Sequence, residues 1–343
     1  MTDSTLIVWY NFATCVVVIG IAGVKLTEYG DSIADKTGMG GTWVGLVMIA
    51  TVTSLPELAA GITATAVALL PDIAAGDALG SCVYNLLILA IMDLFNRDQP
   101  VLTAAGREHV LSGGFSVLLI GFAALGILSA GLGQTALIAH IGWTTPVLIL
   151  LYIVAIRSLY KYQEKEVETF TEKESDRFAK LTLRQTTIRY GIAAAAVVAA
   201  GIWLPYVSED LAVVMGWSQS FTGTIFTAMS TSLPELVVTL TCMRIGAINL
   251  AVGNILGSNL FNMLVLAVDD LFYLEGPLAN GISQAHLVSA VTAMTMTGAV
   301  IAALYFRARV RVLRIGGWTS LLLLILFAIN SWLLFELGSP RHL

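Results

Sequence analysis

Charged residues are scarce in this sequence of 343 residues: they make up 12% of it, whereas hydrophobic residues make up 57%. A soluble domain normally carries about 25% charged residues. The chain therefore lacks the polar surface that a water-soluble fold of this length requires. A lipid bilayer is the solvent that tolerates so much apolar surface, and we expect a membrane protein.

Cysteine and histidine are also rare, with three and four copies scattered along the chain. No Cys-x-x-Cys pair or His/Cys cluster occurs, which argues against a disulfide framework and against a thiolate metal site. The first residues lack the basic region and the cleavage site of a signal peptide, so none is predicted.

Ten apolar runs are each long enough to cross a membrane, because a spanning helix needs about 20 mostly apolar residues. None shows the polar/apolar alternation of a membrane barrel strand, so helices are predicted throughout. The predicted spans are residues 6–26, 43–69, 73–95, 109–130, 135–157, 187–205, 218–242, 246–272, 283–306 and 313–337.

Lysine and arginine fall almost entirely in alternate loops of this layout. Seventeen of the eighteen lie on one side, eight of them between Arg157 and Arg189, and only Arg341 lies on the other. Basic residues are retained on the cytoplasmic side of a membrane. We therefore expect a multi-pass protein of the cell membrane with both termini extracytoplasmic.

Two short motifs occur twice, once in each half of the chain. Thr-Ser-Leu-Pro-Glu occupies residues 53–57 and 231–235, and Gly-Ser-x-x-x-Asn occupies residues 80–85 and 257–262. With five spans in each half, the second copy is inserted upside down relative to the first, as in many secondary transporters. We therefore predict an all-α membrane protein with ten transmembrane helices in two inverted five-helix repeats. The predicted units are a first transmembrane repeat at 1–157, a cytoplasmic linker at 158–186 and a second, inverted repeat at 187–343.

Glu57 and Glu235 are carboxylates inside long apolar spans, where a charge is costly unless it faces a cavity or a partner. Equivalent positions of an inverted repeat meet near its axis. Together the two side chains would offer a charge of about −2 and the hard oxygen ligands that calcium, magnesium and sodium prefer. We expect them to be the central metal ligands; two protonated acids bonded in helix packing are the alternative.

Pro56 and Pro234 precede the two glutamates. A proline removes a backbone donor and clashes with the carbonyl four residues earlier. The carbonyls of Val52 and Ser230 are thus candidate ligands, and a simple kink without a ligand role has equal weight. Hydroxyl oxygens lie at the same two breaks, on Thr53, Ser54, Thr231 and Ser232.

The second motif places neutral oxygens four residues apart, and so on one helix face, in the pairs Ser81 with Asn85 and Ser258 with Asn262. They are suited to completing a coordination shell, although the serines could instead serve helix packing. The glycine before each serine would let neighbouring helices approach closely.

Asp77 precedes Ser81 by four residues and so shares that face, but its counterpart in the second copy is the neutral Asn254. It could supply a third charge to the site. We favour a water-exposed position near the helix start, where the helix N-terminus stabilises a carboxylate. Three further acids at predicted helix ends are expected at the membrane interface: Asp93, Asp269 and Asp270.

These motifs resemble the alpha-repeats of the calcium/cation antiporter superfamily, which includes the sodium/calcium exchangers. The resemblance covers residues 43–95 and 218–272 closely and the ten-span layout more loosely. It implies competitive binding of calcium and sodium with alternating access. It also implies that Glu57 and Glu235 are central ligands, with the hydroxyl and amide side chains of both motifs around them.

The chain departs from the family pattern at three kinds of position. Val52 and Ser230 stand where many members have glycine before the threonine, which affects the local backbone. Asn262 is neutral where potassium-dependent members carry an acid, which favours potassium independence. The Gly-Asn-x-x-Glu pattern of the calcium/proton branch is absent, which disfavours proton coupling.

The predicted function is secondary sodium/calcium antiport. Exchange of another divalent cation, or exchange driven by protons or potassium, is an alternative. A passive channel fits deep carboxylates less well, and a membrane-embedded aspartyl protease, which needs two convergent aspartates, is remote. We expect no enzyme activity, no cofactor and no nucleic-acid or protein partner. The expected partners are metal cations and the lipid bilayer, and the expected state is a monomer.

Overall fold

The chain folds almost entirely into helices. Only two short antiparallel β-bridges interrupt them in the described part of the chain. The prediction of an all-α membrane protein is confirmed at this level. A computed structural model describes residues 3–37, 50–95, 100–107, 109–133, 137–138, 140–164, 181–244, 246, 248–307, 311–312 and 316–338.

Fourteen α-helices and four strands are numbered here in chain order within these ranges, together with one π-helix. The first half contains α1 (Asp3–Thr37), α2 (Leu55–Ala66), α3 (Pro71–Phe95), α4 (Val101–Ala104), α5 (His109–Gly131), β1 (Leu137–Ile138), β2 (Ile141–Gly142) and α6 (Thr144–Glu164). The second half contains α7 (Leu183–Met215), α8 (Gln219–Thr222), a π-helix (Gly223–Thr227), α9 (Ala228–Thr231), α10 (Leu233–Arg244), α11 (Ile248–Phe272), α12 (Leu278–Gly281), α13 (His286–Phe306), β3 (Arg311–Val312), β4 (Gly316–Gly317) and α14 (Trp318–Gly338).

Eight helices of the described chain are long and apolar enough to cross a membrane. A ninth span results when the bent pair Gln219–Thr231 and Leu233–Arg244 is counted as one. These nine coincide with nine of the ten predicted spans. The other predicted span, 43–69, lies partly outside the described residues, as does most of the 158–186 linker. The count of ten therefore stays a prediction.

Both copies of the Thr-Ser-Leu-Pro-Glu motif interrupt a helix at the serine. Ser54 (φ −91°, ψ 14°) separates the helical residues 50–53 from α2. Ser232 (φ −82°, ψ 7°) separates α9 from α10, and the span bends there by 46°. The prolines explain the breaks, because a proline cannot continue the hydrogen-bond ladder of the helix before it. Each glutamate consequently lies in the first turn of a new helix.

Helices α3 and α11, which carry the second motif, form the centre of the protein. Of the residues in their apolar windows, 89% and 83% are buried. Glycines permit the close packing: a Cβ on Gly80 would lie 2.6 Å from the carbonyl oxygen of Thr224, and one on Gly257 would lie 3.2 Å from Cβ of Ala50. The expected role of both glycines in close helix approach is confirmed.

Asp93 and Asp270, which are expected at the membrane interface, lie near the ends of α3 and α11 and are buried inside the protein. They are only 2% and 5% exposed. In each, Oδ1 accepts a 2.6 Å hydrogen bond from the backbone N–H that opens the next short helix. Each Oδ2 accepts an N–H from a β-bridge glycine and a side-chain hydroxyl; these donors are Gly317 and Ser320 for Asp93, and Gly142 and Thr145 for Asp270. The burial of these two aspartates could not be predicted from their positions at helix ends, because it depends on how the following loop folds back over them.

Candidate cation-binding site

The two motif glutamates lie together at the centre of the fold, and both are fully buried. Each accepts a hydrogen bond from the serine of the other motif copy. Ser54 Oγ donates to Glu235 Oε1 at 3.0 Å, and Ser232 Oγ donates to Glu57 Oε1 at 3.3 Å. These crossed contacts join residues 181 and 175 positions apart in the chain. The structure thus brings together the two breaks that the sequence predicts as neighbours.

The second carboxylate oxygen of each glutamate, Oε2, has no hydrogen-bond partner in the described part of the chain. A buried charged oxygen without a partner is unfavourable by several kcal/mol unless it is neutralised or coordinated. The two open oxygens are therefore the strongest candidates to hold a bound cation.

Neutral oxygens from α3 and α11 surround this pair. Ser258 Oγ donates to Glu235 Oε1 at 3.3 Å, and Ser81 Oγ lies 3.4 Å from Thr231 Oγ1. Asn85 and Asn262 are fully buried, and Oδ1 of each lacks a hydrogen-bond partner among the described residues. Amide oxygens are ordinary ligands for hard cations. Four of the residues predicted from the second motif thus lie where a coordination shell could be completed.

Asp77 is buried, with only 2% of its surface exposed, so the prediction that favoured a water-exposed side chain is wrong. Its Oδ1 accepts a 2.8 Å hydrogen bond from Thr231 Oγ1, which ties it to the second break. Its Oδ2 has no partner in the described chain. Although Asp77 lies early in α3, the π-helix packs over this segment, because Gly76 allows the backbone of Gly223 to approach. A third carboxylate therefore borders the glutamate pair.

The remaining predicted ligands lie at the helix breaks, where two of their hydroxyls donate hydrogen bonds to backbone carbonyls of the preceding helical turn. Thr53 Oγ1 donates to the carbonyl of Ala50 at 3.1 Å, and Ser230 Oγ donates to that of Phe226 at 2.7 Å. Val52 and Ser230 are buried beside the breaks. Coordination by their carbonyl oxygens stays a prediction.

Asn259 is a buried polar residue that the sequence reasoning missed. Its Oδ1 accepts from Asn85 Nδ2 at 3.0 Å, and its Nδ2 donates to the carbonyl of Cys82 at 3.3 Å. It therefore links α11 to α3 and orients the amide of Asn85. The sequence did contain a signal, since Asn259 is a second asparagine within the Gly-Ser-x-x-x-Asn motif. It was overlooked because the matching residue of the first copy is Cys82, so this asparagine is not repeated.

The described residues contain no group of three acidic, histidine or cysteine side chains close enough together to hold one metal ion. A cation here would consequently be held by one or two carboxylates with hydroxyl and amide oxygens. Such a mixed shell suits sodium and calcium rather than zinc.

Paired buried carboxylates between broken helices, inside a bundle of membrane-length helices, are the features of a membrane transporter for cations. A family model described as the sodium/calcium exchanger protein matches residues 7–161 and 188–335. The chain belongs to this family, and the resemblance to the calcium/cation antiporter superfamily is confirmed.

Known proteins agree with that assignment. The chain is 28% identical over 332 residues to a proposed antiporter, CaxA, of Alkalimonas amylolytica, covering 94% of this chain and 99% of the relative. It is 42% identical over 71 residues, 20% of each chain, to the sodium/calcium exchanger MaX1 of Methanosarcina acetivorans. A solved structure of the sodium-calcium exchanger NCX_Mj superimposes with a TM-score of 0.61 at 20% identity, covering 95% of this chain and 98% of that one. This last likeness supports the fold.

Proposed function

We propose that this cation antiporter exchanges sodium for calcium at a site between Glu57 and Glu235. The observation that carries the proposal is the crossed pair of serine–glutamate contacts, which leaves one open oxygen on each buried carboxylate. The names of MaX1 and NCX_Mj, both sodium/calcium exchangers, support the choice of ions.

Charge balance supports competition between the two ions. Two ionised glutamates carry a charge of about −2, which one calcium ion or two sodium ions would neutralise. A buried site disfavours any occupancy that leaves a net charge in the membrane. Binding of sodium and calcium at the glutamates would therefore be mutually exclusive, which is the basis of coupled exchange.

The proposed architecture is ten spans in two inverted repeats, with units 1–157, 158–186 and 187–343, working by alternating access. Matched contacts in the two halves support it. They are the crossed serine–glutamate bonds and the packing of Gly80 on Ala228 and of Gly257 on Ala50. Asp93 and Asp270 also match, because each accepts a backbone N–H from the short helix that follows it. In this arrangement both termini are extracytoplasmic. We propose that the protein works as a monomer, without a cofactor or a nucleic-acid or protein partner.

The neutral side chain of Asn262 supports independence from potassium. Replacing it by aspartate would add a buried negative charge to the face of α11 that also carries Ser258. We expect Asn262→Asp to change the ion preference and to create a dependence on potassium. Calcium uptake into sodium-loaded vesicles, measured with and without external potassium, checks this; identical ion dependence in the variant and the parent would contradict the expectation.

The deciding experiment for the function is a flux assay with the purified protein in liposomes. An outward sodium gradient should drive uptake of radioactive calcium, whereas potassium or proton gradients of the same size should not. A channel would pass calcium without any gradient of a second ion. Uptake driven only by protons or potassium, or transport of other divalent ions without calcium, would favour the alternative exchangers.

A further inference from the structure

Asp269 is a fully buried carboxylate that belongs to neither repeated motif. Neither of its oxygens has a hydrogen-bond partner in the described part of the chain. The carboxylate lies against Gly61 of α2: a Cβ on that glycine would lie 2.6 Å from Oδ2 and 2.8 Å from Cγ of Asp269. Asp269 is thus covered by protein rather than by water, and its charge requires an explanation.

The location of Asp269 relates it to the glutamate pair. Gly61 follows Glu57 by four residues and so lies on the same face of α2, one helical turn further along. Asp269 follows Asn262 by seven residues, which places it on the same face of α11, two turns further along. The two helices pack against each other. Asp269 therefore lies about one turn beyond the glutamates, on the surfaces that carry the predicted ligands.

Asp77 is the second excess carboxylate in this region. It is buried, has one open oxygen and lies on α3, which packs against α11, the helix that carries Asp269. The residues that match Asp77 and Asp269 in the other motif copy are the uncharged Asn254 and Met92. Two negative charges are thus added on one side of the glutamate pair and not on the other.

Among the described residues, neither aspartate forms an ion pair with a basic side chain. Protonation of one oxygen of Asp269 would still leave the other without a hydrogen-bond donor among the described residues. A bound cation would instead satisfy both oxygens. Neutral oxygens are available from the buried hydroxyls of Thr65, one turn beyond Gly61, and of Thr231, which contacts Asp77.

We propose that Asp77 and Asp269 form a second cation site, which holds a sodium ion about one helical turn beyond the glutamate pair. The assignment to a monovalent ion follows from the charges, because the glutamates already balance calcium and no group of three acidic side chains converges in the described chain. The inference deepens the proposed exchange of sodium for calcium and rests on cations entering the protein at the glutamate pair.

Equilibrium binding of radioactive sodium to the purified full-length protein in detergent tests this site directly. Asp269→Asn preserves the shape of the side chain and removes its charge. We expect its sodium half-saturation to rise by about tenfold or more, as for loss of one buried charge–charge interaction, or one bound sodium per chain to disappear. Glu275→Gln is the matched control, because Glu275 is an exposed acid close in sequence to Asp269, and its removal should leave sodium binding unchanged.

A second variant guards against misfolding of the first. Gly61→Ala keeps every charge but places a methyl group against the Asp269 oxygens, and we expect it to weaken sodium binding in the same direction. Parental sodium binding in a folded Asp269→Asn protein would overturn the proposal. The proposal would also be overturned if Asp269→Asn changed the release of protons from the protein but left its sodium binding unchanged.

Calcium flux separates this inference from the proposed function. Asp269-dependent sodium binding in a protein that does not exchange calcium would refute the exchange reaction and leave the second site standing. If Asp269→Asn kept the parental sodium binding while the protein showed sodium-driven calcium uptake, the second site would be refuted and the exchange reaction would stand.

Discussion

Removing one charge from the glutamate pair should harm calcium transport much more than sodium transport. Glu57→Gln and Glu235→Gln each keep the size of the side chain and the hydroxyl contact from the opposite serine. They change the charge of the pair from about −2 to about −1. A calcium ion bound there would then leave a net positive charge inside the membrane, whereas a single sodium ion would be balanced.

The size of the effect follows from the burial of both carboxylates. At about 4 Å and an effective dielectric constant of about 20, one unit charge pair contributes about 4 kcal/mol, so the loss is about 8 kcal/mol for calcium and about 4 kcal/mol for sodium. Relaxation and water entry offset much of these direct terms. We still expect calcium affinity to fall by at least about 100-fold, and by a clearly larger factor than sodium affinity.

The assay compares two fluxes in the same proteoliposomes: calcium uptake driven by a sodium gradient, and sodium/sodium exchange. Each variant should lose calcium uptake and keep measurable sodium exchange, while Glu275→Gln, an exposed charge change, should match the parent in both. Equal losses of the two fluxes in a folded variant, or normal calcium uptake in both variants, would refute the charge-balance reasoning.

Two further predictions rest on the described contacts, and a third rests on the distribution of basic residues. Asp77→Asn should lower the affinity for transported ions, since this buried carboxylate accepts from Thr231 beside the glutamates; unchanged concentration dependence of flux would contradict this. Gly80→Ala should lower the free energy of unfolding in detergent by about 1–3 kcal/mol through overpacking, whereas Gly298→Ala, with open space around it, should not. Equal melting temperatures of the two variants would contradict this. A cysteine at position 175 should resist an impermeant thiol reagent added outside intact cells, while one at position 3 should react, and the reverse pattern would overturn the topology.

The sequence was most informative where the chain repeats itself. The doubled Thr-Ser-Leu-Pro-Glu motif predicted both helix breaks and the meeting of Glu57 with Glu235, because a proline has a strong local effect and a buried carboxylate needs a partner. The alternation of basic loops and apolar runs predicted nine spans that the described chain contains.

Burial of single acids could not be predicted in the same way. Asp77 lies near the start of α3, a position that is usually wet, and only the packing of the π-helix against Gly76 covers it. The counterpart of Asp269 in the other half is the apolar Met92, so the repeat gave no signal for it. Whether an acid near a helix end meets water depends on loops and neighbours distant in sequence, which local patterns do not specify.

The crossed serine–glutamate contacts have a consequence for the origin of the chain. Neither half contains a complete site, since each glutamate takes a hydroxyl from the opposite half. On the proposed inverted-repeat architecture, an ancestor of half this length would assemble such a site from two copies in opposite orientations. Fusion of two such copies into one polypeptide would fix their ratio and orientation. It would also free each copy to change alone, and the charged Asp77 and neutral Asn254 at matching positions of the two motif copies fit that divergence.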